Sequence, residues 1–255
     1  MSYLTDTHCH LHDREFFSDE QATEMVKRAH DNNVRRIICI GTSHEDSLAA
    51  RDFAAKHENM HWTYGVHPEN AGSPYDASVI DDDLPIAIGE VGLDYHTEGY
   101  DRDAQIRLFE EMLQLACDKR LPVSFHIREA YDDFFPIVAN FPTVRGAVHC
   151  FTNNKKNLRR VLNETGFYVA VNGLATYATL PTPPLARILL ETDAPFLTPV
   201  PFRGIINESA YIRNIAEWLS SKIGTSFELI EHETSKNAEE LFRFPETVVR
   251  APGRV

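Results

Sequence analysis

Short apolar runs alternate along the chain with longer segments in which apolar residues recur every three or four positions. Runs of the first kind predict strands, and segments of the second kind predict helices with one buried face. Eight strands are predicted in this way, at 3–8, 35–41, 60–66, 85–91, 122–127, 144–150, 167–173 and 186–193. Helices are predicted at 19–32, 44–57, 101–119, 129–140 and 154–164, and after the last strand near 208–223, 226–233 and 235–243.

This alternation predicts the fold class. Eight strands alternating with helices over 255 residues have the size and order expected of a single-domain (β/α)8 TIM barrel. A doubly wound open sheet is the competing architecture, but no G-x-G-x-x-G follows the first strand. The proline-rich stretch "LPTPPLA" at 180–186 leaves no clear helix before the eighth strand, so a shortened connection is expected there. Because no repeat or flexible linker interrupts the pattern, residues 1–255 are expected to form one domain.

Imidazole or carboxylate side chains stand at the carboxyl ends of most predicted strands. These residues are His8, His10, His67, Glu90, His126, His149 and Asp193. In a barrel the carboxyl ends of the strands meet on one face, where active sites form. Singly, each has an ordinary explanation, such as a strand cap for His67, a core histidine for His126 or an Asx turn for Asp193. Jointly they favour a metal site, because imidazole and carboxylate are ligands of borderline and hard divalent metals.

The spacing of His8 and His10 supports this interpretation. Side chains two positions apart on a strand point to the same face, so both imidazoles can bind one ion. Glu90 and Asp193 are the carboxylates available to bridge two ions and to activate water. Two ions about 3.5–4 Å apart are the arrangement used for hydrolytic displacement at phosphorus or carbonyl centres. Asp6 is expected to help orient the histidine pair.

Composition and charge narrow the function classes. Hydrophobic residues make up 43% and charged residues 25% of the chain, as in ordinary globular proteins. No apolar run approaches the roughly 18 residues of a membrane span, and the amino terminus lacks a secretory signal, so a cytoplasmic protein is expected. The net charge of −13 argues against a broad basic surface for duplex nucleic acid. Bound divalent cations would nevertheless invert the potential at the site itself.

The cysteines do not suggest a second metal site. None of Cys9, Cys39, Cys117 and Cys150 belongs to a C-x-x-C pair. Cys39 and Cys117 lie in apolar surroundings, in "IICIGT" and "LQLACDK". Buried free thiols in a reducing compartment are therefore expected, rather than disulfides or a zinc knuckle. Cys9, between the two histidines, is expected to point away from them and to serve packing.

Several motifs resemble those of a known family. They are "DTHCHL" (6–11), "GVHPE" (65–69), "IGEVGLDYH" (88–96), "PVSFHIREA" (122–130), "GAVHCFT" (146–152) and "ILLETDAPFLTP" (188–199). In this order they resemble the TatD-type metal-dependent deoxyribonucleases, within the amidohydrolase-like barrel superfamily. A carboxyl-terminal "SKNAEELF" at 235–242 extends the resemblance over nearly the whole chain. One HxH pair would be weak evidence, whereas six motifs in family order are strong.

The resemblance implies a catalytic centre with two divalent ions, Mg²⁺, Mn²⁺ or Zn²⁺. The implied ligands are His8, His10, Glu90, His126, His149 and Asp193. Glu90 would bridge the two ions, and Asp193 would also orient or deprotonate the attacking water. The implied activity is 3′–5′ exonuclease cleavage of DNA, at single strands or 3′ ends. Another hydrolase, acting on an amide, lactone, phosphotriester or aminoacyl ester, and a non-catalytic metal- or nucleic-acid-binding barrel are the alternatives.

Substrate contacts are predicted more weakly. His67 lines the pocket in similar proteins and is a candidate phosphate contact. Arg128 follows His126 by two positions and could bind phosphate or form a surface salt bridge. Tyr95 and His96 could meet a base or phosphate, and Arg203 a phosphate, although loop packing and helix capping explain them equally well. The stretch "RGIINES" (203–209) replaces the family's "RGKRNEP", which changes the expected rim of the site.

Overall fold

The computed structural model describes residues 2–81 and 83–245, in which eight parallel strands form one sheet in sequence order. The strands are β1 (Leu4–Cys9), β2 (Val34–Cys39), β3 (Met60–Tyr64), β4 (Ala87–Asp94), β5 (Val123–Arg128), β6 (Gly146–Val148), β7 (Tyr168–Val171) and β8 (Ile188–Leu190). Hydrogen bonds also join the first and last strands. The Thr7 hydroxyl donates to the Leu190 carbonyl at 2.9 Å, and the amide of Asp193 donates to the carbonyl of His8 at 2.8 Å. The predicted TIM barrel is therefore confirmed.

Helices connect the strands and pack outside them. They are α1 (Asp19–Asp31), α2 (His44–Ala54), α3 (Arg102–Lys119), α4 (Tyr131–Ala139), α5 (Lys155–Arg160), α6 (Ile212–Ile223) and α7 (Phe227–Phe242). Side-chain caps start several of them. Ser18 forms a reciprocal capping box with Gln21 at the start of α1, and Asp101 accepts from the amide of Ala104 at the start of α3. In the described residues, no helix is long and apolar enough to cross a membrane.

The carboxyl-terminal helix differs from the sequence prediction. The stretches 226–233 and 235–243 were predicted as two helices, but they form the single helix α7. The prediction failed because polar Thr234 and Ser235 interrupt the apolar pattern, and both are buried. The Thr234 hydroxyl donates to the carbonyl of Ile230, and the Ser235 hydroxyl donates to the carbonyl of Tyr3. These bonds satisfy the buried hydroxyls, so the helix continues through them.

The connection between β7 and β8 is short, as the proline-rich stretch predicts. It contains only two 3₁₀ turns among its described residues, Gly173–Thr176 and Leu185–Arg187. The observed ends of two strands differ from the predicted ones. β8 ends at Leu190 rather than at 193, so Asp193 lies in the loop that follows. β4 continues to Asp94, which places Glu90 inside the strand rather than at its end. The prediction of one domain over 1–255 includes residues 1, 82 and 246–255, which lie outside the described residues.

One end of the barrel is closed by apolar packing. Small or branched strand residues such as Ala87, Ala147 and Leu189 join Leu241 and Phe242 of α7 in one buried cluster. The neighbouring Phe244 ring lies 4.8 Å from the ring of His61, near the start of β3. The end of α7 therefore covers the amino ends of the strands and leaves their carboxyl ends open.

The buried thiols lie on two neighbouring strands. Cys9 of β1 and Cys39 of β2 are register partners, and both are fully buried. The Cys9 thiol donates to the carbonyl of Ile38, away from the histidine pair, as predicted. All four cysteines are free thiols, but Cys117 and Cys150 are only partly buried. Their predicted burial is therefore only partly correct.

The packing of α7 against the barrel predicts the effect of truncating Phe242. Phe242→Ala should lower the free energy of unfolding by about 3–5 kcal/mol, because it opens a cavity at the closed end. Leu229→Ala on the same helix removes a side chain that is 42% exposed and should change stability by at most about 0.5 kcal/mol. Urea denaturation of both variants measures the difference. Equal loss in the two would contradict the packing described.

Candidate metal centre

A cavity of about 310 Å³ opens at the carboxyl ends of the strands. The predicted site residues that line it are His10, His67, Glu90, His126, His149 and Asp193. His8 lies directly beneath this cavity, since its Nε2 atom is 3.4 Å from the Glu90 carboxylate and its side chain is buried. The barrel thus brings all six predicted metal ligands together. Their role as ligands stays a prediction.

Glu90 occupies the centre of this group. Its Oε1 atom lies 2.7 Å from Nδ1 of His126 and 3.4 Å from Nε2 of His149. Its Oε2 atom lies 3.4 Å from Nε2 of His8. Burial opposes ionisation of Glu90, but His149, His8 and His126 more than offset it and hold the pKa of this carboxyl well below its usual range. The two oxygens of one ionised carboxylate therefore face different imidazoles, Oε2 that of His8 and Oε1 those of His126 and His149.

The backbone that follows β2 and β3 places Glu90. Its amide donates to the carbonyl of Gly41 at 2.7 Å. Gly65, in the loop after β3, allows β4 to approach closely: a Cβ atom there would lie only 2.3 Å from the carbonyl carbon of Gly89. The glycine of the "GVHPE" motif is therefore needed for space beside Glu90.

Asp193 completes the first set of donors with His8 and His10. Its Oδ1 atom lies 3.6 Å from Nε2 of His8 and 3.5 Å from Nε2 of His10. The loop after β8 turns sharply at Asp193, where φ is +58°, and this turn directs the carboxylate toward β1. Burial raises the pKa of Asp193, whereas His149, His10 and His8 lower it, with a net shift below the usual value.

The second set consists of Glu90, His126 and His149, whose donor atoms all lie within 4.8 Å of one another. A further carboxylate contacts each of its imidazoles. Asp94 Oδ2 lies 2.9 Å from Nε2 of His126, and Glu191 Oε1 lies 3.2 Å from Nδ1 of His149. Carboxylates in this position fix the orientation of metal-binding imidazoles.

The imidazoles of the first set are also held through their second ring nitrogens. Nδ1 of His10 donates to the carbonyl of Ile40 at 3.1 Å, and the Ser124 hydroxyl lies 3.4 Å from Nδ1 of His8. In both rings Nε2 is the nitrogen that faces Asp193. Both Nε2 atoms are therefore directed at the same point, as shared coordination of one ion requires.

Sequence analysis missed the roles of Asp94 and Glu191, although both lie in motifs that it quoted. Asp94 follows Glu90 by four positions on β4 and therefore shares its face. Glu191 precedes Asp193 by two positions and is buried, accepting from the Cys150 amide at 2.8 Å and the Asn172 side chain at 3.0 Å. The strand period of two was a signal that could have placed Asp94 beside Glu90. It does not apply to Glu191, which lies beyond the end of β8.

Asp6, the predicted support of the histidine pair, links β1 to the loop after β8. It accepts from the Thr192 amide at 2.9 Å and from the Thr192 hydroxyl at 2.6 Å. Thr192 immediately precedes Asp193, so these bonds hold that carboxylate beside His8. Burial raises the pKa of Asp6 to about 7, and the hydrogen bonds it accepts limit the rise.

The donor set fits divalent metal ions. Nε2 of His8 is buried and has no hydrogen-bond partner within residues 2–81 and 83–245, although two carboxylates face it at 3.4 and 3.6 Å. Ligand atoms that share an ion at about 2.0–2.2 Å lie about 3–3.5 Å apart. The spacings around His8 are close to this range. His8, His10 and Asp193 would hold one ion and Glu90, His126 and His149 another, with Glu90 between them.

The weaker predicted contacts divide into two groups. His67 lines the cavity, with Nε2 3.9 Å from Glu90 Oε1, and burial lowers its pKa to about 4. The other four predicted substrate contacts are not among the described residues that line the cavity. Tyr95 donates to Asp133, His96 contacts Glu129, Arg203 stacks over Tyr177, and Arg128 is exposed at the end of β5. Substrate binding by any of the five stays a prediction.

Comparison with known proteins agrees with this arrangement. The sequence model described as TatD related DNase matches residues 5–243. The chain belongs to this family. Recognition from the motifs is therefore confirmed, and with it the coarse class, a metal-dependent hydrolase of the TatD family.

Three similar proteins cover almost the whole barrel. The chain is 32% identical to the uncharacterized metal-dependent hydrolase YabD of Bacillus subtilis, over 94% of this chain and 99% of that protein. It is 31% identical to the 3′-5′ ssDNA/RNA exonuclease TatD of Erwinia billingiae, over 87% of this chain and 93% of the relative. The crystal structure of YJJV, a TatD homolog of Escherichia coli, superposes with a TM-score of 0.84 at 26% identity, covering 95% and 98% of the two chains.

The contact of Glu191 with His149 predicts a role in metal affinity. Glu191→Gln should weaken Mn²⁺ binding about 10- to 100-fold, because the imidazole loses its charged partner. Glu164→Gln, at an exposed ion pair with Arg160, should leave binding unchanged. Isothermal titration of both variants tests this prediction. Wild-type affinity in Glu191→Gln would contradict it.

Metal binding should also release protons. In the absence of metal, neighbouring carboxylates raise the pKa of His126 to about 9 and of His149 to about 10 despite burial. Both imidazoles are then charged at pH 7 and must lose a proton to coordinate an ion, and the pKa of His10, beside Asp193, is raised as well. Two or more protons should therefore be released, and affinity should rise with pH. Calorimetry in buffers of different ionisation enthalpy measures this number. Heats that do not depend on the buffer would contradict the prediction.

Proposed function

We propose that this chain is a 3′–5′ exonuclease that hydrolyses single-stranded DNA with two divalent ions at the candidate metal centre. The observation that carries the proposal is the position of Glu90, whose Oε2 atom faces His8 and whose Oε1 atom faces His126 and His149. When bound, the ions would supply polarisation of the phosphodiester and activation of the attacking water. The printed name of the Erwinia billingiae relative supports the choice of substrate.

The residues of the chain would then have separate roles. Glu90 would hold both ions, and Asp193 would orient the attacking water and accept its proton. Its depressed pKa keeps Asp193 ionised at neutral pH, as a proton acceptor must be. His67 is neutral at that pH, so it could hydrogen-bond a phosphate oxygen without adding charge.

The charge of the cavity makes phosphate binding dependent on metal. None of the described residues that line it is Lys or Arg, whereas Asp13, Asp46 and Glu69 add carboxylates to those of Glu90 and Asp193. Without divalent ions this cavity would repel a phosphodiester. Chelation should therefore weaken DNA binding as well as stop cleavage.

The alternative hydrolases receive less support from the site. Relatives that act on amides, lactones or phosphotriesters often use a carboxylated lysine as the bridging ligand. No Lys belongs to the described lining of the cavity, and Glu90 lies where a bridging ligand is needed. This donor set favours the phosphodiesterase proposal.

Cleavage of single-stranded DNA tests the proposal. With Mn²⁺ or Mg²⁺, the wild type should convert a 5′-labelled oligonucleotide into a ladder of shortened products, and a 3′-labelled one directly into mononucleotide. Asp193→Asn should lower kcat about 10²- to 10⁴-fold, because it removes the proton acceptor. Denaturing electrophoresis with and without chelator measures both effects.

A matched control separates the site from general changes in charge. Asp103→Asn on α3 alters a carboxylate that is 78% exposed and should leave kcat unchanged. An RNA oligonucleotide of the same sequence tests selectivity for DNA. Absence of metal-dependent shortening in the wild type, or full activity in Asp193→Asn, would refute the exonuclease.

A further inference from the structure

Two exposed aromatic rings stand together beside the candidate metal centre. Phe16, in the loop after β1, is 40% exposed, and Phe196, in the loop after β8, is 46% exposed. Their centroids are 5.3 Å apart at an interplanar angle of 84°, an edge-to-face contact. Because β1 and β8 are neighbours in the barrel, the two loops meet at the same side of its open end.

The pair is continuous with the metal centre. Phe196 lines the same cavity as Glu90 and Asp193. Its ring centroid lies 6.3 Å from that of His10, a predicted ligand. A group attached to a phosphate at the metal centre would therefore lie within reach of the Phe196 ring.

Phe196 is held in place by its loop. Its amide donates to the carbonyl of Asp193 at 2.8 Å. The side chain of Asn207, which is fully buried, donates to the carbonyl of Phe196 at 2.6 Å and to that of Thr192 at 2.8 Å. The exposed ring thus belongs to a loop that Asp193 and Asn207 hold in place.

Phe16 is anchored by its neighbour. The next residue, Phe17, is buried, and its amide donates to the carbonyl of Asp13 at 3.0 Å. The loops that carry Phe16 and Phe196 are therefore both held by hydrogen bonds, so the two rings are fixed before a ligand binds. An arrangement of this kind costs little entropy when a flat ligand binds.

The residues around Phe16 and Phe196 indicate which kind of group could bind there. No Lys or Arg is among the described residues that line the cavity, so the part of the substrate beyond the reacting phosphate gains no contact with such a side chain there. Exposed Ile205 and Ile206, on the loop that carries Phe196, add apolar surface. An uncharged planar group fits such surroundings, and every nucleobase has a face that stacks on aromatic rings.

We propose that Phe16 and Phe196 form a stacking surface for a nucleobase whose phosphate is held at the candidate metal centre. This inference deepens the proposed exonuclease function and rests on it. The surface is tolerant of sequence, because stacking on a phenyl ring does not distinguish bases by hydrogen bonds.

Binding of two small phosphates tests the surface without requiring catalysis. The Mn²⁺-loaded full chain is titrated calorimetrically with 2′-deoxyadenosine 5′-monophosphate and with 2-deoxyribose 5-phosphate, which carry the same phosphate but differ in the base. The wild type should bind the nucleotide about tenfold more tightly or better, as expected for one stacked base. Phe196→Ala should reduce this ratio to near one, Phe16→Ala should reduce it in part, and Phe196→Trp should keep it.

Leu84→Ala is the matched control, since Leu84 is 55% exposed and lies near Met60 at the start of β3, outside the cavity. Its ratio should equal that of the wild type. Equal affinity for the two phosphates, failure of both to bind at millimolar concentration, or an unchanged ratio in Phe196→Ala would overturn the stacking surface. Cleavage of DNA with a ratio of one would refute the surface but keep the exonuclease. The expected ratio without cleavage would keep a nucleotide site and refute the exonuclease.

Discussion

A carboxylate that is withdrawn from water is stable only when cationic or hydrogen-bonding groups surround it, and Glu90 is 4% exposed. Four imidazoles lie within 4 Å of its oxygens, those of His8, His67, His126 and His149. The rings of His8 and His149 stack at 3.7 Å, so charging both would place like charges in contact. Protonation of the surrounding imidazoles therefore stabilises the buried Glu90 carboxylate only at the cost of repulsion between neighbouring rings. Divalent ions would resolve the conflict, because imidazoles coordinate them in the neutral form while the carboxylates remain charged.

A few backbone contacts of the barrel place Glu90 and the residues around it. Gly65 provides space for β4, and the Gly41 carbonyl accepts from the amide of Glu90, so the carboxylate enters the open end of the barrel. On the opposite side, the bond between the Asp193 amide and the His8 carbonyl both closes the barrel and brings the first set of donors together. The same loop then carries Phe196 to the rim. Closure of the barrel, the proposed metal ligation and the proposed recognition of a base thus depend on one segment of chain after β8.

The barrel and most of the candidate site could be predicted from the sequence. Strand periodicity is a local property that can be read along the chain, and the topology of a barrel then brings the carboxyl ends of the strands together. His126 and His149 were placed correctly for that reason. The contacts of Asp94 and Glu191 could not be assigned, since they depend on which ring nitrogen faces which carboxylate. The single helix α7 was not predicted, because Thr234 and Ser235 interrupt its apolar pattern. Their hydroxyls have hydrogen-bond partners within the fold, and these partners are not evident from the sequence. The sequence assigns no role to Phe196; the exposure of its ring and its contact with Phe16 are what indicate one.

Anomalous diffraction from crystals grown with Mn²⁺ tests the central claim most directly, because it locates ions independently of activity. The account predicts two anomalous peaks about 3.5–4 Å apart on either side of Glu90. One peak should lie among His8, His10 and Asp193, and the other against His126 and His149. Peaks that do not contact Glu90, or no peak in this cavity at saturating Mn²⁺, would contradict it.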